Sequence, residues 1–188
     1  MHRLVILFVL ACGKPAATSA PRAGDRDAAL AAFETVRAVL QHPRCQNCHP
    51  AGDAPLQGDD SHPHTQNVQR GPSGNGMPGE ECTTCHREAN PPDTFGAHTP
   101  PGVVKGWHMP GPQLKLVFVG VAPRALCEQV KDPARNGGKD AGALRVHLDD
   151  PLVTWAWAPG IGRAAPPISH ADFVAAWEKW FAGGAPCP

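Results

Sequence analysis

Between Pro43 and about residue 122 the chain carries almost no hydrophobic periodicity and is dense in Gly, Pro, Asn and Asp, the residues of turns. A stretch of some eighty residues without secondary structure is rare inside a compact domain, so something other than ordinary side-chain packing has to organise it. One pattern recurs within it. CQNCHP runs from Cys45 to Pro50 and CTTCHR from Cys82 to Arg87, two copies of Cys-x-x-Cys-His.

Three chemistries use paired cysteines at this spacing. A four-cysteine zinc site takes two such knuckles about 15 to 20 residues apart and has no use for a histidine directly after each. Here thirty-three residues separate Cys48 from Cys82, and both histidines, His49 and His86, are present. A redox disulfide of this spacing sits at a helix start within a βαβ pattern, which is absent. Covalent attachment of a c-type haem needs this order of residues: two thiols add across the porphyrin vinyl groups and the adjoining histidine becomes the proximal iron ligand. The sequence therefore predicts two haems c, on Cys45 and Cys48 with His49, and on Cys82 and Cys85 with His86.

Two porphyrins would also supply a missing core. The 188 residues include 22 Pro and 20 Gly but only six Phe, five Trp and no Tyr, enough for one domain with a thin apolar interior. Burying two apolar plates would compensate, so a chain lacking haem should be poorly folded from Cys45 to Met109. The formal charge is zero and no Lys/Arg-rich run occurs, which removes nucleic acid as a partner. Four propionates would leave the loaded protein mildly acidic.

The N-terminus reads MHRLVILFVLAC. A basic start and an apolar run from Leu4 to Ala11, too short for a bilayer span, make residues 1–11 an export signal. Val9-Leu10-Ala11-Cys12 resembles a bacterial lipobox, which makes Cys12 a lipidation site; the alternative is an ordinary signal peptide with an incidental cysteine. Gly13, not an aspartate, follows Cys12, and by resemblance to lipoprotein sorting this points to the periplasmic face of the outer membrane. Residues 12–25, rich in Ala, Pro, Ser and Gly, read as a flexible tether. The folded domain is then 26–188.

Helical spacing marks four segments. DRDAALAAFETVRAVLQ aligns Ala29, Phe33, Val36 and Leu40; PRALCEQVK opens on Pro123; DAGALRVHL opens on Asp140; SHADFVAAWEKWF carries a Ser169–Asp172 capping box and stops at Gly183 and Gly184. LKLVFVGV, Leu114 to Val121, is the one strand candidate. The fold class is mainly α with extensive loops, a small multihaem cytochrome c-type domain organised around two covalent haems. Two cysteines remain, Cys127 and Cys187. In an oxidising compartment they pair, closing a loop of about sixty residues worth roughly 4 kcal/mol in the chain-entropy model, the alternative being two buried thiols.

The face of each iron opposite its proximal histidine decides between a carrier and an enzyme. His42, His62, His64, His98, His108, His147, His170, Met77 and Met109 are available. His64 lies in the loop between the motifs and ranks first. His108, beside Trp107 with Met109 as an adjacent alternative, and His147, on the apolar face of its helix with Leu144 and Leu148, follow together.

With HPRCQNCHPAGDAPLQGDD, PHTQNVQRG, CTTCHREAN, GWHMP, LCEQVKDPARNGGK, DPLVTWAW, ISHADF and the closing GAPCP in view, the chain from His42 to Pro188 resembles bacterial two-haem c-type cytochromes often labelled isoquinoline 1-oxidoreductase subunit. The resemblance implies an electron-accepting role beside a molybdenum hydroxylase, whose own cofactor segments are not found in this chain. The expected function is single-electron transfer between periplasmic redox partners. The rivals are a dihaem peroxidase or sulfur-compound oxidoreductase with one open haem face, and a sensor module.

Overall fold

The structure is a computed structural model that describes residues 23–188. The signal peptide 1–11, Cys12 and most of the tether therefore lie outside the described residues. The remainder of the tether is not flexible chain: helix α1 spans Ala23–Leu40, beginning before the Asp25 start read from the sequence. A Cβ placed on Gly183 would stand 2.4 Å from Ala29 Cβ and 3.1 Å from Asp25 O, so the end of the last helix presses against the first turns of α1.

Along the chain follow α2 (Pro43–Gln46), the hairpin β1 (Leu56–Gln57) with β2 (His62–Pro63), and the hairpin β3 (Gly76–Met77) with β4 (Glu80–Glu81). Next come α3 (Cys82–Cys85), a 3-10 turn at Asp93–Phe95, α4 (Pro123–Lys131), α5 (Ala141–His147), α6 (Pro151–Thr154), a 3-10 turn at Trp155–Trp157, and α7 (His170–Ala182). The capping box forms as its residues dictate: Ser169 Oγ accepts from the Asp172 N–H at 3.1 Å and donates to Asp172 Oδ2 at 2.6 Å. Among the described residues no helix is long and apolar enough to cross a membrane.

Helices α1 and α7 form the main pair, and α4 and α5 close the same core. Phe33, Val36 and Val39 meet Leu126, Cys127, Val130, Leu144, Leu148, Phe173, Trp177 and Trp180, all buried. Phe33 and Trp180 sit with ring centroids 4.9 Å apart; each such fully buried side chain contributes about 1.5–3 kcal/mol. Cys127 and Cys187 are bonded, tying the chain end to α4 with 60 residues between them.

The long aperiodic stretch has a protein organiser of its own. Arg70 is fully buried, and its guanidinium donates to Pro110 O (2.5 Å), Gly52 O (3.0 Å) and Pro50 O (3.2 Å), with Asp53 3.6 Å from Nε. One rigid fork of donors thereby draws together backbone on both sides of the second motif. Leu114–Val121 differs from expectation, since no strand forms. Leu116 has φ +48°, a left-handed backbone that a bulky side chain adopts only under strong tertiary demand, and it breaks the extended run.

Candidate cofactor site

Leu116 is bent for a purpose that its neighbours reveal. Its carbonyl accepts a 2.8 Å hydrogen bond from His49 Nδ1, and Phe118 N donates to His49 O at 2.9 Å. The Phe118 ring stacks on the His49 imidazole with centroids 4.0 Å apart. Because a carbonyl only accepts, Nδ1 carries the proton and Nε2 is left with a free lone pair, the tautomer a metal ligand requires. Burial pushes the His49 pKa down to about 4, the Leu116 bond opposing it weakly, so the ring is neutral at physiological pH. Beside it lies a cavity of about 320 Å³, in the range of small-molecule sites, bordered by Cys45, Cys48 and His49 on one side and by Met109, His108 and His147 among others.

The second motif repeats this construction with different residues. His86 Nδ1 donates to Pro101 O at 2.7 Å, and the Trp107 indole stacks on the imidazole at 4.6 Å with an interplanar angle of 8°. Burial again holds the pKa to about 4. Pro101 can be brought that close because Gly102 follows it: a Cβ there would stand 2.1 Å from Ala89 O and 2.4 Å from Arg87 O. Asn90 Oδ1 accepts from Gly102 N (3.2 Å) and from Trp155 Nε1 (2.9 Å), bracing the loop and the Trp107–Trp155 pair behind it.

Each of these imidazoles has another histidine near it. The ring centroids of His64 and His86 are 6.3 Å apart. Two imidazole–metal bonds of about 2 Å in line, with two ring radii of about 1.1 Å, span a little over 6 Å, so one metal atom fits between these rings. Desolvation lowers the His64 pKa, and its Nδ1 is buried without a hydrogen-bond partner, an atom poised to accept a ligand bond. At the first motif His147 borders the cavity and is close enough to His49 for their charges to oppose each other. His147 differs from the expectation that it lies on the apolar face of its helix: it is exposed while Leu144 and Leu148 are buried, although desolvation still lowers its pKa, with Lys139 adding to the effect.

All four motif cysteines are free thiols. Burial pushes Cys45 up to about 12 and Cys48 up to about 11, and it also raises Cys82. Among the described residues no three or more His, Cys, Asp or Glu side chains converge as a bare-metal site would need. A haem iron needs only one protein ligand on each face. The charge interaction between Cys48 and Cys82 places the two motifs side by side.

The remaining sequence candidates fall elsewhere. His108 is exposed at the cavity rim, its Nδ1 donating to Gly106 O at 3.2 Å, and it acts on His147. Met109 is buried and borders the cavity. His42 caps α2 through a 3.2 Å bond from Arg44 N, and His170 contacts Leu148 O at 2.9 Å. Sequence reasoning missed the bracing groups Arg70, Asn90, Leu116 and Phe118, because a carbonyl acceptor or a stacked ring leaves no local pattern. Comparison with family models, curated proteins and solved structures returns no match to this chain.

Proposed function

We propose that the chain is an exported dihaem c-type cytochrome, anchored through lipid on Cys12 at the periplasmic face of a bacterial membrane, that passes single electrons between redox partners. One observation carries the reading. Each Cys-x-x-Cys-His histidine has Nδ1 committed to a backbone carbonyl and Nε2 free, and each has another histidine near it, His64 for His86 and His147 for His49. Four free thiols, two of them, Cys45 and Cys48, beside a mostly apolar cavity, fit the covalent attachment of two haems.

When bound, haem supplies a one-electron iron couple. The chain's own residues do the rest. The carbonyls of Leu116 and Pro101 fix the imidazole tautomers, Phe118 and Trp107 hold the ring planes, and Arg70 sets the loops around both motifs. With His64 and His147 as the second ligands, neither iron would have a position for substrate, which favours a carrier over bond chemistry and would keep the potentials below those of His/Met cytochromes. The nearness of Cys48 and Cys82 favours transfer between the two haems. By the resemblance of its segments, a molybdenum hydroxylase is the proposed donor.

Intact-mass measurement on denatured protein from the periplasm, with electron paramagnetic resonance on the native form, tests this. Two covalent haems, lost singly in Cys48→Ser and Cys85→Ser, and two low-spin ferric signals are expected. A chain without haem refutes the assignment; a high-spin ferric signal with peroxide turnover replaces the carrier with a dihaem enzyme.

A further inference from the structure

The cavity beside the first motif is mostly apolar, yet two of its lining residues hold nitrogen donors with nothing to donate to. Trp177 is 3% exposed and its Nε1 has no acceptor, whereas Trp155, Trp157 and Trp180 donate to Asn90 Oδ1 (2.9 Å), Ile168 O (2.7 Å) and Pro186 O (3.0 Å). The Arg44 side chain is likewise 3% exposed. Its Nη2 serves Gly58 O (2.8 Å) and Asp59 Oδ1 (2.6 Å), but Nε is buried and unpartnered. An unpaired buried donor costs about 1–3 kcal/mol, more when charged, so two on residues lining one cavity favour a ligand that brings an acceptor.

Other charged groups on that wall are engaged. Lys139 Nζ donates to Asn136 O at 3.2 Å, and Asp150 Oδ1 accepts from Leu152 N at 2.9 Å as the cap of α6. What the cavity lacks is an acidic acceptor of its own for Arg44 Nε and Trp177 Nε1. We propose that these two donors are a carboxylate-receiving site for the propionates of the group attached at Cys45 and Cys48. The inference rests on the haem reading of that motif, and it adds which protein atoms orient the porphyrin within the cavity. A cationic donor at a propionate also offsets negative charge near the iron and so favours the reduced state.

Redox-difference infrared spectroscopy, on protein grown with 5-aminolevulinate labelled at its carboxyl carbon, reads the propionates directly. In Trp177→Phe, which keeps the ring and removes the N–H, one labelled carboxylate band is expected to move toward the position of a solvated propionate. In Arg44→Gln the reduction equilibrium of one haem is expected to fall at least threefold, about 28 mV for a one-electron couple. Arg44→Lys provides the same infrared reading should Trp177→Phe fail to accumulate. Unchanged labelled bands in variants that retain two covalent haems overturn the carboxylate site while leaving the cytochrome reading intact. A wild-type chain without covalent haem sinks both.

Discussion

Removing His64 should open one iron and only one. The 6.3 Å between the His64 and His86 ring centroids would accommodate a single metal atom bonded to both, which under the proposed reading would leave that iron no open position. Truncation to alanine empties the volume of a whole imidazole on the distal side, ample for a diatomic molecule, while His86 stays fixed by Pro101 and Trp107. Ferrous iron binds carbon monoxide only where a coordination position is open, so titration of the dithionite-reduced protein counts open faces. Wild type should take up none, His64→Ala one equivalent, His147→Ala one, and the double variant two. His108→Ala should stay at zero, because it is His147 whose charge acts on His49. Uptake by His108→Ala or Met109→Ala in place of His147→Ala would refute the pairing at the first motif. Carbon monoxide binding to the untouched protein would refute it at one site or both.

Two further outcomes follow from the same geometry. Replacing Cys127 and Cys187 by serine releases a 60-residue loop and should lower stability by about 4 kcal/mol, read as a fall in the urea midpoint; an unchanged midpoint would mean the bridge constrains nothing in the unfolded chain. In a chain with all four motif cysteines changed to serine, His49 and His86 keep pKa values near 4 only if the site loops stay folded. The unfolded chain then binds more protons below the ordinary histidine pKa of about 6.5, so stability is full above that value and falls as pH drops toward 4, by about 1.4 kcal/mol per pH unit for each histidine at most. Urea midpoints at pH 7 and pH 5 measure it. A flat profile would show that haem alone, and not Arg70, holds the loops in place.

Much of the helical frame could be read from local pattern. The capping box at Ser169, Pro123 at a helix start and the apolar spacing of Phe33 and Val36 are all found in the helices they mark. The failures are equally physical. Leu114–Val121 has the composition of a strand, but the bend at Leu116 sends its carbonyl to His49, and a hydrogen bond across 67 residues leaves no trace in the local sequence. Helices α2 and α3 are single turns whose regularity belongs to the motifs and not to any periodicity.

Sequence by itself determined the four thiols and the two histidines that accompany them, because Cys-x-x-Cys-His is contiguous and one helical turn sets its geometry. It also singled out Cys127 and Cys187, the two cysteines without another role. The tertiary structure decided which histidines come near one another. The 6.3 Å approach of His64 to His86 and the nearness of His147 to His49 join residues far apart along the chain. Those are long-range contacts, and nothing in the spacing of neighbouring residues encodes them.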